Sequence, residues 1–189
     1  MADAAGDDQE LVRRLARGDQ AAFNACYERY RGPIFRFAWH MNGNQTIAEE
    51  VTQEVFLRLI HQPKKFDAAK GTLAGYLFGI ARNVMRREMA ASFLDVPLQE
   101  AELGEDPALA IDADLLAELD RRERLELLHK SVLALPATYR EALILCDLEE
   151  MSYPEAAAVL DCPPGTVGSR LHRARAMLKS RLQAVRCVR

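Results

Sequence analysis

The C-terminal part of the chain contains a short helical segment, a break and a longer helical segment in close succession. Ser152-x-x-Glu155 is a capping box, in which the hydroxyl and the carboxylate satisfy backbone amides at the start of a short helix. Asp161-Cys162-Pro163 ends that helix, and Pro164 is tolerated in the next first turn because its missing N–H would be unpaired there anyway. The second helix has apolar residues spaced three or four apart, which predicts a buried stripe: Val167, Leu171, Ala174 and Leu178.

The side of this second helix that faces away from the apolar stripe is basic. Residues 162–189 contain seven Lys or Arg and no acid. A short helix, a tight turn and a longer helix with a basic outer face is the pattern of a helix-turn-helix DNA-binding module. A basic, solvated helix of an ordinary bundle is the alternative, which the absence of acids disfavours. The outer face carries Ser169, His172, Arg173 and Ala176, with Thr166 and Arg170 at its edge.

The net charge of −3 conceals three segments of different charge. Residues 1–94 hold 13 Lys or Arg against 11 Asp or Glu, and residues 121–189 hold 12 against eight. Residues 95–120 hold nine acids and no base, together with Pro97, Gly104 and Pro107. This division predicts two small domains, residues 1–94 and 121–189, joined by an acidic linker, residues 95–120.

Helical periodicity dominates both predicted domains, and no segment alternates as a strand would. The fold class is therefore predicted to be all-α. Thr46-x-x-Glu49 is a second capping box, and Gly32-Pro33 is predicted to stop a helix after Tyr30. The predicted helices are Leu11–Ala16, Gln20–Tyr30, Ile34–Met41, Thr46–Gln62, Leu73–Ala91, Leu115–Leu135, Tyr139–Leu148, Ser152–Leu160 and Pro164–Val185.

The helix after Thr46 separates apolar from polar residues. Ile47, Val51, Val55 and Leu59 share one stripe, with Phe56 and Ile60 beside it. A polar patch on a rigid helix suits a protein partner, although an ordinary solvated face is the alternative. The polar side carries Glu50, Gln53, Glu54 and Arg58.

Several stretches form a specific combination: Leu135-Pro136, Arg140-Glu141-Ala142, Ser152-Tyr153-x-Glu155-Ala156-Ala157 and Gly165-Thr166-Val167-x-Ser169-Arg170-Leu171-x-Arg173-Ala174-Arg175. Together they resemble the fourth conserved region of extracytoplasmic-function sigma factors, the small two-domain members of the bacterial sigma-70 family. In that family the second helix enters the −35 promoter element. The resemblance implies that Ser169, His172 and Arg173 lie near bases, with Thr166 and Arg170 on phosphates.

Two N-terminal stretches also resemble this family. Residues 50–57 are similar to the segment of region 2 that docks on core RNA polymerase, which implies polymerase contacts for Glu50, Gln53, Glu54, Leu57 and Arg58. Residues 71–83 are similar to the segment that recognises and opens the −10 element, with Tyr76 in place of the usual tryptophan.

The resemblance implies a site for unstacked bases of the −10 element, built from the loop before this segment and from Asn83. Core aromatic positions are the alternative for Phe66, Tyr76 and Phe78, and the better one for the last two. The arginines would hold the single-strand backbone. The candidate −10 residues are Phe66, Asp67, Lys70, Thr72, Arg82, Asn83, Arg86 and Arg87.

The resemblance implies a promoter-recognition subunit that binds core RNA polymerase, promoter DNA and commonly an anti-sigma protein. The acidic linker would thread into the polymerase, or serve as a charged spacer. Gly168 departs from the family, where Lys or Arg is frequent. A helix-turn-helix regulator that acts without polymerase remains the alternative, although it would leave residues 50–57 and 71–83 unexplained.

Other function classes lack their motifs. No phosphate loop, nucleophile elbow or zinc motif is present, so we expect neither an enzyme nor a cofactor or metal. The four cysteines lie far apart, which predicts free thiols in a reducing compartment. The acidic N-terminus and the lack of a long apolar run predict a cytoplasmic protein without a membrane span.

Overall fold

Helices make up the regular structure of the protein in a computed structural model that describes residues 2–92 and 113–186. The all-α prediction is thereby confirmed for the described part. A 3₁₀ turn, Pro63–Lys65, follows the third helix, and a π-helical turn, Ile144–Leu148, follows the sixth. The α-helices are α1 Ala2–Leu15, α2 Gln20–Asn42, α3 Gln45–His61, α4 Leu73–Ser92, α5 Ala113–Leu133, α6 Ala137–Leu143, α7 Tyr153–Leu160 and α8 Pro164–Arg186.

The helices α1 to α4 pack around an apolar core. Phe37 of α2 is fully buried and meets Phe78 of α4 edge to face, with 5.6 Å between the ring centroids. Val55 and Leu59 of α3 are fully buried beside them, as the stripe on that helix predicts. Each helix therefore turns one apolar side inward, which leaves its polar side for partners.

The helix α2 runs without interruption through Gly32 and Pro33, so the predicted stop after Tyr30 is wrong. A proline inside a helix removes one hydrogen bond and costs about 3 kcal/mol. Tyr30 and Ile34 are both buried on either side of the proline. Burial of this continuous face outweighs the cost of the proline within the helix. A rule based only on neighbouring residues does not include such burial.

The cap of α3 also differs from the prediction. Asn44 is the N-cap, and its side-chain oxygen accepts the N–H of Ile47 at 3.2 Å. Thr46 lies inside the helix, so the predicted capping box with Glu49 is wrong. Asparagine is at least as favourable as threonine at an N-cap, and it comes two residues earlier in the chain.

The C-terminal helices form the predicted short helix, turn and long helix. The Ser152 capping box is confirmed, because its hydroxyl accepts the N–H of Glu155 while the Glu155 carboxylate accepts the N–H of Ser152. Val167 and Leu171 of α8 are buried as predicted. The π-helical turn stands where periodicity predicts an α-helix through Leu148.

The two groups of helices contact each other. The short helix α7 packs on α4, and α5 packs on α2. Leu77 and Phe78 of α4 share one buried cluster with Ala156 and Leu160 of α7. The two halves are therefore joined by apolar burial as well as by the chain.

The predicted linker falls mostly outside the described residues, which resume at Ala113 with α5. Residues 113–120, which the charge pattern assigns to the linker, form the first turns of this helix. No helix in the described ranges is long and apolar enough to cross a membrane.

Candidate nucleic-acid and protein-binding surfaces

The outer face of α8 gathers all five residues predicted to contact the −35 element. Asp161 ends α7 in a left-handed conformation, with φ of 51°, and α8 begins three residues later. Burial of Val167 and Leu171 on the inner side leaves Ser169, His172 and Arg173 exposed. Thr166 and Arg170 are half-buried at the edge of this face, as predicted.

The arginines of this face are only weakly held by the protein. Arg173 Nη1 donates to the hydroxyl of Tyr139 at 3.4 Å, and Arg170 Nη1 lies 3.7 Å from the Cys162 sulfur. Both contacts are long, so the guanidinium groups can turn toward a phosphate or a base edge at little cost.

Arg175 differs from its neighbours on α8. Its Nε donates to the carboxylate of Asp147 at 2.9 Å, and this ion pair raises the pKa of the guanidinium above its ordinary value. Asp147 lies in the π-helical turn, 28 residues away in the chain, so periodicity alone could not identify the pair. The positive charge of Arg175 is thus neutralised within the protein, unlike that of Arg173.

Gly168 lies on α8 beside the ring of Tyr153. A Cβ atom at this position would stand 3.4 Å from Tyr153 Cε2, which is ordinary van der Waals contact. The fold therefore has room for the first carbon of a side chain at the position where Lys or Arg is frequent in the family that the sequence resembles.

The outer side of α3 carries the residues predicted to contact polymerase. Glu50 and Gln53 are exposed, and Glu54 accepts a hydrogen bond from Arg58 at 2.6 Å. Leu57 is 41% exposed, which suits an apolar contact within the polar patch.

Ile60 extends the apolar part of this surface. It is 44% exposed, whereas its place beside the apolar stripe predicts burial. Because Ile60 and Leu57 stand three residues apart on one helix, they are neighbours on its surface. Sequence reasoning missed Ile60 because the position of this residue beside the apolar stripe predicts that it is buried.

The loop before α4 is anchored at both ends. Phe66 is half-buried, with its ring centroid 5.7 Å from that of Tyr76, so the alternative of a packed aromatic suits it. Asp67 and Lys70 are exposed and form an ion pair of 3.4 Å between Nζ and Oδ2. Thr72 Oγ1 accepts the N–H of Gly75 at 3.1 Å and thereby caps the first turn of α4.

The predicted −10 residues on α4 fall into two groups. Asn83, Arg86 and Arg87 are exposed. Arg82 has a side chain only 14% exposed, and its Nε donates to the carboxylate of Glu141 on α6 at 3.0 Å. In this arrangement the C-terminal helices occupy one of the arginines that the sequence analysis assigns to DNA.

A second ion pair joins the same two halves. Arg36 of α2 donates to both carboxylate oxygens of Glu149, at 3.1 and 2.8 Å. Burial raises the pKa of Glu149, and the Arg36 hydrogen bond opposes that shift. A bidentate contact of this kind fixes the orientation of the two halves as well as their distance.

Aromatic rings stack across the interface close to this pair. The Trp39 ring of α2 lies on the His129 ring of α5, with 3.7 Å between centroids and 17° between planes. His40 meets the same ring edge to face at 5.1 Å. Burial lowers the pKa of both histidines, that of His40 to about 4, so both rings are neutral at neutral pH.

The described ranges hold no cluster of His, Cys, Asp and Glu that could bind a metal ion. Cys26, Cys146 and Cys162 are free thiols, and Cys187 lies outside the described residues.

Two family models match the chain. One is described as Sigma-70 region 2 and matches residues 26–92, and the other is described as Sigma-70, region 4 and matches residues 125–178. Among curated proteins, the chain is 30% identical over 182 residues to ECF RNA polymerase sigma factor SigW of Bacillus subtilis, covering 93% of this chain and 96% of that protein. It is 34% identical to ECF RNA polymerase sigma factor SigE of Mycolicibacterium smegmatis, covering 88% of this chain and 65% of that protein.

Two solved structures are similar over most of the chain. CnrH, in complex with the cytosolic domain of CnrY, has a TM-score of 0.70 at 27% identity and covers 94% of this chain and 97% of its own. The sigma factor RpoE of Bartonella quintana, in complex with the anti-sigma factor NepR, has a TM-score of 0.68 at 24% identity. It covers 85% of this chain and 96% of its own, and at this identity the likeness shows the shared fold.

Proposed function

Because the chain belongs to the extracytoplasmic-function group of the sigma-70 family of RNA polymerase sigma factors, we propose that its two domains divide a promoter between them. As a sigma factor it directs bacterial core RNA polymerase to promoters and catalyses no reaction itself. The proposed division assigns the −35 duplex to α8, the −10 element to α4 with the loop before it, and the polymerase to α3. It follows the domain boundaries predicted above, residues 1–94 and 121–189.

The outer face of α8 is the observation that carries this proposal. Ser169, His172 and Arg173 are exposed together on one side of a helix whose other side is buried. A recognition helix needs this geometry to enter the major groove, where its side chains meet base edges and its flanks meet phosphates. Thr166 and Arg170, at the margin of the face, suit the phosphate contacts.

The role proposed for α3 is polymerase binding. Glu50, Gln53 and the Glu54–Arg58 pair surround the exposed Leu57. An apolar centre within a polar rim is the usual composition of a protein interface. A helix-turn-helix regulator that acts without polymerase does not need a second binding surface of this kind. The exposed surface of α3 therefore favours the sigma role.

The role proposed for α4 requires the two halves to separate. Asn83, Arg86 and Arg87 are open to a DNA strand, whereas Arg82 is paired with Glu141. A phosphate can replace that carboxylate only after α6 has moved away. The described arrangement is therefore proposed to be one in which the −10 surface is incomplete.

An anti-sigma protein is proposed as a further partner. CnrH and RpoE, which resemble this chain over most of its length, were both solved with a second protein, and for RpoE that protein is an anti-sigma factor. Residues 95–120 are proposed to connect the domains through a basic channel of the polymerase, since their nine acids suit such a channel and not DNA. The cytoplasm, where bacterial polymerase works, is the proposed place of action.

In vitro transcription tests the proposed function. Purified chain, core polymerase and genomic DNA are combined, and the 5′ ends of new RNA are mapped. We expect start sites that need the chain and that a Gln53→Ala/Glu54→Ala double variant removes. A Glu10→Ala/Arg13→Ala variant, which removes an exposed ion pair on α1, is the control and keeps them. DNA binding by the folded chain without core-dependent start sites would instead support a regulator that acts without polymerase.

A further inference from the structure

Asp8 on α1 is a buried carboxylate that none of the surfaces above includes. Its side chain is 5% exposed, although it lies near the start of the chain and outside residues 26–92 that the region 2 family model matches. Burial of a carboxylate is unfavourable unless hydrogen-bond donors surround it. The hydrogen-bond donors around Asp8 therefore indicate which parts of the structure this carboxylate stabilises.

Asp8 reaches across 65 residues to the first residue of α4. Its Oδ2 accepts the backbone N–H of Leu73 at 3.0 Å. Its Oδ1 accepts a hydrogen bond from the hydroxyl of Tyr30 at 3.3 Å and lies 3.6 Å from Nη1 of Arg29. One carboxylate thus joins α1, α2 and α4.

The bond to Leu73 satisfies a donor that the helix itself leaves unpaired. The first N–H groups of a helix have no partner within it, and a negative charge there is also favoured by the helix dipole. Leu73 is completely buried, so water does not replace the carboxylate. Thr72 caps the N–H of Gly75 from within the loop, whereas Asp8 caps that of Leu73 from α1.

The junction between the loop and α4 lies at this point. Gly71 has φ of 156°, a backbone conformation open mainly to glycine, and it stands two residues before Leu73, whose N–H Asp8 accepts. The exposed Asp67 and Lys70 stand on the loop side of the junction, and Asn83 and Arg86 on the helix side. A change at Leu73 therefore alters the position of the loop residues relative to those of the helix.

We propose that Asp8 is a positioning residue for −10 recognition, because it fixes the loop of residues 66–72 against the start of α4. It contacts no DNA. It acts by holding both parts of the −10 surface in one geometry, as a rigid scaffold does for a binding loop. The proposal rests on the −10 role given to this loop and helix under the proposed function.

The test uses holoenzyme, reconstituted from the chain and core polymerase. Its ligand is a fork-shaped promoter DNA that is duplex at −35 and single-stranded at −10, with the sequence of a promoter whose start site has been mapped. Asp8→Ala is expected to weaken binding to this fork about tenfold. Its affinities for core polymerase and for duplex −35 DNA are expected to stay within about twofold. Asp8→Asn keeps an acceptor for the Leu73 N–H and is expected to recover most of the fork binding.

Two matched variants separate positioning from general stability. Asp7→Ala removes the same charge from a neighbouring side chain that is 76% exposed, and it is expected to leave fork binding unchanged. Tyr30→Phe removes the other buried hydrogen bond to Asp8 and leaves the one to Leu73 intact. It is expected to lower the unfolding temperature without a comparable loss of fork binding.

Each outcome bears on the proposal. Selective loss of fork binding in Asp8→Ala, absent from Asp7→Ala and Tyr30→Phe, supports it. Unchanged fork binding in Asp8→Ala overturns it, as does an equal loss in Tyr30→Phe or an equal loss of core and −35 affinity. Lys70→Ala/Arg86→Ala tests the underlying −10 role: if this double variant binds the fork normally, the proposed −10 surface itself is wrong.

Discussion

The outer face of α8 and the arginine cluster of α4 are both basic, yet they differ in how freely they can meet DNA. Arg173 is exposed and makes one long hydrogen bond, to Tyr139 at 3.4 Å. Arg82 is 14% exposed and paired at 3.0 Å with a carboxylate from the other half of the molecule. The surface proposed for the −35 element is thus complete in the described arrangement, and the surface proposed for the −10 element is not. A basic residue in a motif identifies a candidate contact, but the packing of the domains decides whether that contact is available.

The largest effect is expected at α8, where two arginines of the same helix differ in their partners. Arg173→Ala should weaken binding to duplex −35 DNA about 10- to 100-fold, because a good contact to a base edge contributes about 1–3 kcal/mol. Arg175→Ala is the control, since the Arg175 guanidinium is already paired with Asp147. It should change the affinity less than about threefold by titration under the same salt conditions. Equal losses would mean that the ion pair does not set the two arginines apart.

A change at Glu141, the ion-pair partner of Arg82, is expected to weaken the contact between the two halves. Glu141→Gln should loosen the interface, because it removes the negative charge that compensates the buried Arg82 guanidinium while keeping an oxygen that can accept its N–H. The readout is Trp39, the one tryptophan of the chain, whose ring stacks on His129 across the interface at 3.7 Å. Its fluorescence should rise toward that of free tryptophan in Glu141→Gln and stay unchanged in Glu10→Gln, an exposed control. An unchanged Trp39 signal in both would show that the Arg82–Glu141 pair does not hold the halves together.

Acid is expected to weaken the interface through His40. Its pKa is lowered to about 4 by burial, and the nearby His129 and Arg36 act in the same direction. The unfolded chain then binds more protons between about pH 4 and 6.5, so the His40 contribution to stability falls as pH decreases, by up to about 1.4 kcal/mol per pH unit. The buried Glu149 acts in the opposite direction because its pKa is raised.

The His40 contribution can be isolated by comparison of variants. Urea unfolding at several pH values should show a shallower pH dependence in His40→Gln than in the parent protein. His172→Gln, a change on the exposed face of α8, should leave the pH dependence as it is. A parent-like profile in His40→Gln would contradict the assignment.

The smallest effect is expected at Gly168. An alanine there would meet Tyr153 at ordinary contact distance and remove the cost of glycine within a helix, so unfolding should require about 1 kcal/mol more. Thermal unfolding checks the gain, and −35 affinity should stay within about twofold. A loss of stability would show that the Tyr153 ring cannot accept the added carbon.

Local sequence patterns predict some parts of the molecule and not others. The α8 face could be predicted because one helix carries both its buried stripe and its exposed residues, so the spacing of Val167 and Leu171 determines where Arg173 points. Pairs across the interface could not be predicted, since Arg82 and Glu141 stand 59 residues apart and no local rule connects them. Asp8 and Leu73 are separated by a similar distance in the chain.

Several helix boundaries differ from the prediction, among them the start of α1 at Ala2 instead of Leu11, and two of them differ for a related reason. Pro33 has the sequence signature of a helix end, but the burial of Tyr30 and Ile34 on a continuous face prevails over it. Asn44 and Thr46 are both good caps, and the structure uses the first, whose side chain accepts the N–H of Ile47. In each place the chain offers a plausible local solution, and tertiary packing chooses another.

Photocrosslinking in the open promoter complex can show whether the two domains divide the promoter and whether position 82 becomes available to DNA only when they separate. A photoreactive amino acid is placed at position 82 in one variant and at position 173 in another. With core polymerase and promoter DNA, we expect position 173 to crosslink to the −35 duplex and position 82 to the −10 strand. In the free chain, position 82 should crosslink to the segment around Glu141. Crosslinks from position 82 to that segment alone, in both the free chain and the open complex, would mean that the two halves do not separate and that position 82 does not meet the −10 strand.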